Sequence, residues 1–230
     1  MAHPLLSPDR SRSTRIAAVV PVRALEGAKS RLGEVLDAEE RRDLVTRLLE
    51  RAIAAARSAR RVDEVFVVSP DPATLAAAAA AGASPLHQRG GGLNAAIDQA
   101  CDVVMDEGFS ALVVLPGDLP FIDGAAIDAL IEAAGPDDAA VVVLVPDRHG
   151  RGTNALLLRP PAVIAVAFGG DSRHAHAGRA ESAAARYVEI DGPQWLDLDT
   201  PEDLLLVEDA VPGVDRVPAG DRGQPNEPAG

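Results

Sequence analysis

The feature that most constrains the fold of this chain is its alternation of short apolar runs with amphipathic stretches. Residues 16–22 form a continuous apolar run that ends before Arg23, as expected for a parallel strand buried on both faces. In residues 44–56, apolar side chains recur at the i, i+4, i+5 and i+8 spacing of a helix that buries one face. Strands that alternate with helices through short connections predict an α/β protein with three layers, α/β/α, and a mainly parallel sheet.

This alternation continues along most of the chain. Further strands are predicted over residues 64–69, 84–87, 112–115, 139–145, 154–158 and 187–190, with a short extended segment over 195–199. Helices are predicted over residues 72–81, 92–108, 124–134 and 201–210, and another begins at residue 172. We therefore expect a single domain over residues 16–210, a flexible leader over residues 1–15 and a disordered tail over residues 211–230.

Charge and cysteine content exclude several classes of protein. The formal net charge of -13 repels nucleic acid, and no basic stripe is present to overcome that repulsion. No apolar run approaches the roughly 20 residues that span a membrane. Cys101 is the only cysteine, so no disulfide can form within the chain, and a reducing cytoplasm is the expected compartment. The sequence leaves open whether the chain forms a homodimer.

The loop after the first predicted strand concentrates positive charge. Arg23, Lys29 and Arg31 lie close together there, and a glycine at position 27 separates the first from the other two. Cationic side chains and backbone amides together can surround the oxygens of a triphosphate. The loop lacks the GxxxxGK[ST] pattern of P-loop proteins, and a solvated loop with scattered charge is the alternative interpretation.

Three aspartates follow predicted strands and indicate a cation site. Asp118 follows the strand 112–115 in a turn that contains two prolines, although it could simply cap that turn. Asp197 and Asp199 flank Leu198, and the two-residue period of extended chain directs both carboxylates to one face. Ligands bind beyond the carboxyl ends of parallel strands, and three converging carboxylates repel unless a cation lies between them. Mg²⁺ prefers such oxygen ligands together with substrate phosphates.

Several motifs together resemble a known family. They are Val20-Pro21-Val22-Arg23, Gly27-Ala28-Lys29-Ser30-Arg31-Leu32, Gly92-Leu93-Asn94-Ala95-Ala96, Leu115-Pro116-Gly117-Asp118-Leu119-Pro120, Gly152-Thr153-Asn154-Ala155-Leu156, Phe168-Gly169-Gly170-Asp171-Ser172 and Asp197-Leu198-Asp199-Thr200-Pro201. From about residue 16 to residue 210, the chain resembles the 2-phospho-L-lactate (or phosphoenolpyruvate) guanylyltransferases of coenzyme F420 biosynthesis. This family lies within the GT-A-like nucleotidyltransferases, so the resemblance implies a nucleotide-diphospho-sugar transferase fold.

The resemblance also implies roles for individual residues. GTP is the implied donor, and the acceptor is a small phosphorylated three-carbon acid. The implied catalytic residues are Lys29 and Asp118. The implied Mg²⁺ ligands are Asp118, Asp197 and Asp199. The implied nucleotide-binding residues are Arg23, Lys29, Arg31, Gly92 and Asn94. The implied acceptor-binding residues are Thr153, Gly169 and Ser172.

Elementary chemistry supports part of this assignment. Ser172 lies where a helix is predicted to start, and free backbone amides at a helix N-terminus favour a phosphate or carboxylate. The acceptor's phosphate is already an anionic nucleophile, so charge neutralisation and alignment suffice without a general base. His174 and His176 are two positions apart on that helix, so they point in different directions and are not expected to share a zinc ion.

Three other functions stay open at this point. A related nucleotidyltransferase would use the same metal but act on molybdopterin or a sugar phosphate. A glycosyltransferase would use the Asp197-Leu198-Asp199 motif and hydrolyse a sugar nucleotide. A noncatalytic nucleotide-binding module would keep the fold without turnover, although its cations and acids are intact.

Overall fold

The computed structural model describes residues 14–23, 29–136 and 139–207. The predicted tail over residues 211–230 and most of the predicted leader lie outside these residues. Arg15, which the sequence assigned to the leader, is held against the domain. Its guanidinium carbon lies 3.9 Å from the centre of the Phe109 ring, and its Nη1 donates to the carbonyl of Glu107 at 2.8 Å. Arg15 therefore packs against residues 107–109.

Seven strands form one sheet. They are β1 (Ile16–Pro21), β2 (Glu64–Ser69), β3 (Ser84–His87), β4 (Ala111–Val114), β5 (Val141–Pro146), β6 (Thr153–Arg159) and β7 (Arg186–Glu189). Their order across the sheet is β3-β2-β1-β4-β6-β5-β7. All neighbouring pairs are parallel except the two that β6 makes, with β4 and with β5. The predicted mainly parallel sheet is confirmed.

The antiparallel strand β6 has a local cause. Only residues 147–152 separate β5 from β6, and a parallel pair needs a crossover of a dozen or more residues. A connection this short can only form a hairpin, so β6 runs back beside β5. The hairpin brings Thr153, the first residue of β6, to the edge of the sheet where the parallel strands end.

Helices cover both faces of the sheet. They are α1 (Ala38–Ser58), α2 (Pro72–Ala80), α3 (Leu93–Asp106), α4 (Gly124–Ala133), α5 (Ser172–Ser182) and α6 (Pro201–Val207). Apolar residues of α1, α2 and α4 form one core with one face of the sheet, and those of α3 and α5 form a second core with the other. Within β1, Ala18 belongs to the first core and Val19 to the second, so the strand is buried on both faces as predicted.

The segment 195–199 differs from its prediction. A short 3-10 helix covers Pro193–Trp195, and the residues that follow form no strand of the sheet. Leu198 is nonetheless fully buried, with Leu32, Leu44 and Leu204 in a third apolar cluster. Burial of Leu198, rather than strand pairing, fixes this segment beside the loop that follows β1.

Candidate functional site

Lys29 lies at the centre of the site. Its Nζ is 2.7 Å from Asp118 Oδ2 and 2.7 Å from Asp199 Oδ1, and only 10% of its side chain is exposed. The backbone of Lys29 has φ 53° and ψ 41°, in the left-handed region that residues other than glycine seldom adopt. Such backbone strain persists only where surrounding contacts impose it, and it is concentrated at functional sites. The structure thus brings together the loop after β1, the end of β4 and the segment before α6.

The three predicted metal ligands are neighbours, but Lys29 joins two of them. The backbone N–H of Leu198 donates to the carbonyl of Asp118 at 3.1 Å and fixes the two acidic segments side by side. Burial raises the pKa of Asp197, and the nearby carboxylates of Asp118 and Asp199 raise it further. For Lys29, burial disfavours the charged ammonium, but the same two carboxylates outweigh burial and raise the lysine pKa.

The metal site expected from the sequence stays a prediction. Among the residues that the structure describes, no group of three or more His, Cys, Asp or Glu side chains is arranged to hold a metal ion. The Lys29 ammonium lies between Asp118 and Asp199. The donors themselves are carboxylate oxygens, which are the ligands that Mg²⁺ prefers.

A buried ion pair supports the segment that carries Asp199. Both guanidinium nitrogens at the end of Arg148 contact the carboxylate of Asp203, whose side chain is 1% exposed. Asp203 Oδ2 also accepts the backbone N–H groups of Asp199 at 2.9 Å and Thr200 at 2.8 Å. Burial alone would raise the pKa of Asp203, but Arg148 and these N–H groups outweigh it and lower the pKa. The pair holds the backbone of Asp199 in place.

A second polar cluster lies at the start of β6 and α5. Thr153 Oγ1 is 2.9 Å from Ser172 Oγ and 3.2 Å from Nδ1 of His176, and all three residues are buried. The other ring nitrogen of His176, Nε2, accepts the backbone N–H of Ala167 at 2.9 Å. Burial and the positive charge of Arg179 lower the pKa of His176 to about 4. Thr153 and Ser172, two of the predicted acceptor-binding residues, are therefore in direct contact.

The two clusters are joined through consecutive residues of β6. Thr153 contacts α5, whereas Asn154 donates to the carbonyl of Trp195 at 2.8 Å and to Asp197 Oδ1 at 3.4 Å. Successive side chains of a strand point to opposite faces, so one strand end serves both clusters.

The helix N-terminus at Ser172 differs from expectation. Free backbone amides are expected there, but the N–H of Ser172 donates to the carbonyl of Gly169 at 3.1 Å. The N–H of Arg173 donates to the carbonyl of Arg151 at 3.0 Å. The local turn and the 147–152 hairpin use these two amides, so neither of them is free to bind an anion.

The predicted nucleotide-binding residues fall into three groups. Arg23 is exposed at the end of β1, and the side chain of Arg31 lies outside the described residues, as do residues 24–28. Gly92 is the N-cap residue that precedes α3, and its φ of 85° is a conformation that favours glycine. The side-chain amide of Asn94 accepts a hydrogen bond from the backbone N–H of Phe168 at 2.8 Å and donates one to the carbonyl of Phe168 at 3.1 Å. A contact from Asn94 to the nucleotide therefore stays a prediction, and the observed bonds fix the segment before Ser172.

Comparison with known proteins identifies the family. The profile described as "Guanylyl transferase CofC like" matches residues 16–211. A phosphoenolpyruvate guanylyltransferase from Rubrobacter xylanophilus is 45% identical over 194 residues, which cover 84% of this chain and 93% of the relative. A 2-phospho-L-lactate guanylyltransferase from Methanothermobacter thermautotrophicus is 34% identical over 192 residues, which cover 83% of this chain and 82% of the relative. The chain belongs to the CofC-like guanylyl transferase family.

A solved structure shows that the fold extends beyond this family. A nucleotidyl transferase from Methanothermobacter thermautotrophicus superposes on this guanylyl transferase with a TM-score of 0.62 at 17% identity. The match covers 86% of this chain and 97% of the other. The GT-A-like fold expected from the sequence is therefore confirmed. In the part of the chain that the structure describes, no helix has the length and apolar character needed to span a bilayer.

Some important residues of this guanylyl transferase were missed in the sequence. His176 lies four residues after Ser172, a spacing that places both on one face of α5, and this signal was available. Thr200 and Asp203 have the spacing of a helix N-terminal cap, which was also readable. Arg148 had no local signal, because its partner is 55 residues away.

Proposed function

We propose that this guanylyl transferase moves GMP from GTP onto the phosphate of phosphoenolpyruvate or 2-phospho-L-lactate, with release of pyrophosphate. The observation that carries the proposal is the Lys29 ammonium, which lies 2.7 Å from each of two carboxylates. A second cluster of buried hydroxyls is linked to the acidic residues through Asn154 of β6. The names of the relatives from Rubrobacter xylanophilus and Methanothermobacter thermautotrophicus supply the two candidate acceptors.

In this proposal the triphosphate binds at the cluster formed by Lys29, Asp118 and Asp199. The two carboxylates keep Lys29 charged, so its ammonium can bind phosphate oxygens. Arg23 is exposed at the end of β1 and adds positive charge to the same edge of the sheet. Both residues favour a group that carries several negative charges in an otherwise acidic protein.

We further propose that Asp118, Asp197 and Asp199 hold Mg²⁺ when the nucleotide is bound. Burial and the two neighbouring carboxylates raise the pKa of Asp197, so negative charge at this position is incompletely compensated. A bound Mg²⁺ would neutralise negative charge on the α-phosphate during in-line displacement. Binding would require the Lys29 ammonium to turn from the carboxylates toward the phosphates.

The second cluster receives the acceptor, and its phosphate supplies the nucleophile. An oxygen of that phosphate attacks the α-phosphorus of GTP, the bond from that phosphorus to the bridging oxygen breaks, and pyrophosphate leaves with the electron pair. The role of Thr153 and Ser172 is to hold the acceptor in line with this bond, since no proton has to be removed from an ionised phosphate. Gly169 lies beside Ser172 and shapes the same turn.

The direct test uses GTP labelled at the α-phosphate, with Mg²⁺ and one acceptor at a time: phosphoenolpyruvate, 2-phospho-L-lactate or a sugar phosphate. We expect label in a diphosphate-linked product and equal release of pyrophosphate with one or both three-carbon acids. Asp118→Asn should abolish both, whereas Asp106→Asn, at an exposed position on α3, should not. Turnover with the sugar phosphate alone would overturn the proposed acceptor.

The metal proposal needs a measurement separate from turnover. Titration calorimetry of Mg²⁺ into the protein, saturated with a nonhydrolysable GTP analogue, should show binding that Asp197→Asn weakens and Asp106→Asn leaves unchanged. Equal binding by both variants would remove Asp197 from the metal site. We also propose that the product serves coenzyme F420 biosynthesis in the cytoplasm, on the grounds of the sequence resemblance and the single cysteine.

A further inference from the structure

The hydrogen bonds of His176 fix the position of its proton. A backbone N–H can only donate, so the bond from Ala167 N–H to Nε2 requires that Nε2 carry no proton. Burial and the charge of Arg179 lower the pKa of His176 to about 4, so the ring is neutral near neutral pH. A neutral imidazole has one N–H, and its proton must therefore lie on Nδ1.

The proton on Nδ1 determines what Thr153 and Ser172 can offer a ligand. Nδ1 lies 3.2 Å from Thr153 Oγ1 and, as a donor, needs that oxygen to accept. Thr153 and Ser172 carry two hydroxyl protons, and their mutual 2.9 Å bond uses one of them. His176 does not accept the other, so the pair keeps one O–H group for a further acceptor.

The opposite tautomer would reverse this property. With its proton on Nε2, His176 would lose the bond from Ala167 and would accept a hydroxyl proton at Nδ1. Thr153 and Ser172 would then present only lone pairs, which repel a phosphate or carboxylate. The backbone amides of Ser172 and Arg173 cannot compensate, because both are already bonded to carbonyls.

We propose that His176 is a positioning residue that makes the Thr153–Ser172 pair a hydrogen-bond donor to an anionic oxygen of the acceptor substrate. The inference depends on the proposed function for the identity of that substrate, but not for the direction of the hydrogen bonds. Thr153 is 8% exposed and Ser172 is 2% exposed, so the donated proton is shielded from water. A hydrogen bond to a charged group is stronger in such surroundings than in solvent.

The first experiment measures the tautomer directly. Two-dimensional ¹H–¹⁵N NMR of the imidazole rings at neutral pH distinguishes a proton on Nδ1 from a proton on Nε2. The chain has five histidines, and His176→Phe would assign the signal by removing it. A proton on Nδ1 supports the proposal, and a proton on Nε2 overturns it. This test uses the wild-type protein and gives the same answer whether or not the protein turns over the proposed acceptors.

The second experiment measures whether His176 acts through Ser172. His176→Phe keeps the ring that packs edge-on against Phe168, at 5.2 Å between centroids, but removes the Nδ1–H that orients Thr153 Oγ1. The free O–H of the pair is then no longer fixed toward the ligand. We expect the KM for the acceptor to rise roughly 10- to 100-fold, with the KM for GTP nearly unchanged. The matched control is His174→Phe, at an exposed position of the same helix, which should leave both constants unchanged.

A double-mutant cycle completes the test. If His176 acts through the hydroxyl pair, adding His176→Phe to Ser172→Ala should raise the acceptor KM little further. Thr153→Ser keeps a hydroxyl between His176 and Ser172, so this variant should retain most of the affinity for the acceptor. Full additivity of the two substitutions, or an equal rise in the KM for GTP, would overturn the proposed role. Absence of turnover by the wild type would instead contradict the proposed function and leave the tautomer measurement to decide this inference.

Discussion

Burial of the neutral His176 predicts a specific loss of stability in mild acid. In the unfolded chain the pKa of histidine is about 6.5, whereas burial and Arg179 lower the pKa of His176 in the folded protein to about 4. As the pH falls below about 6.5, the unfolded state binds a proton that the folded state does not. The free energy of unfolding therefore decreases between about pH 6.5 and about pH 4, and this contribution is constant above that range.

The magnitude follows from the two pKa values. One pH unit corresponds to about 1.4 kcal/mol for one proton, so the loss attributable to His176 is roughly 2 kcal/mol between about pH 7 and about pH 5. A typical domain has a free energy of unfolding of only about 5–15 kcal/mol, so this change is measurable. Carboxylates such as Asp203, whose pKa is lowered, add their own loss at lower pH, and variants are needed to separate the two.

The assay is urea denaturation at about pH 7, 6 and 5 for the wild type, His176→Gln and His174→Gln. His176→Gln should lose roughly 2 kcal/mol less than the wild type over this range. His174 is exposed on the same helix, so His174→Gln should follow the wild type. If His176→Gln is too unstable to compare, NMR titration of the His176 ring in the wild type replaces it. A pH dependence identical in all three proteins, or a His176 titration near pH 6.5, would refute the reasoning.

Further predictions concern packing, the ion pair and nucleotide binding. Gly124→Ala should lower the free energy of unfolding by roughly 1–3 kcal/mol, because a Cβ at Gly124 would lie 2.8 Å from backbone atoms of α1. The control is Gly178→Ala in α5, where a Cβ would meet no atom within 4 Å. It should raise the free energy of unfolding by up to about 1 kcal/mol, and urea titrations measure both variants. Asp203→Asn should cost roughly 2 kcal/mol by thermal denaturation, because it leaves the Arg148 guanidinium without its carboxylate, and unchanged stability would contradict a supporting role. Lys29→Met should raise the KM for GTP by roughly 10-fold or more, and by less for the acceptor, in steady-state kinetics. A larger rise in the KM for the acceptor than in the KM for GTP would mean that Lys29 belongs to the acceptor site and not to the nucleotide site.

Much of the fold followed from local patterns in the sequence. The apolar runs and helical stripes predicted the strands of the sheet within about two residues, because burial on one or both faces imposes a period on the chain. The first helix begins at Ala38, six residues before the predicted stripe. The segment 195–199 was predicted as extended chain but forms no strand, since Leu198 is buried by the third apolar cluster instead. An alternating pattern of apolar and polar residues alone does not distinguish a strand of the sheet from an extended segment whose one apolar side chain is buried.

The residues of the candidate site were readable, but their partners were not. Charged residues that follow buried strands identified Asp118 and Lys29, and the family motifs added Thr153 and Ser172. The sequence predicted a cation between the acids, and the structure puts the Lys29 ammonium between two of them. The helical spacing of Ser172 and His176 could have indicated the buried hydrogen-bond chain, but the direction of its protons required the bond from Ala167.

The sequence by itself determined the layers, the single sheet and the edge at which its charged groups collect, because these depend on periods and turns along a few neighbouring residues. Only the tertiary structure decided that Lys29 contacts residues 89 and 170 positions away, or that Arg148 supports Asp203. Contacts over such separations depend on strand order and on how each buried side chain packs. Neither is encoded in any short stretch of the chain.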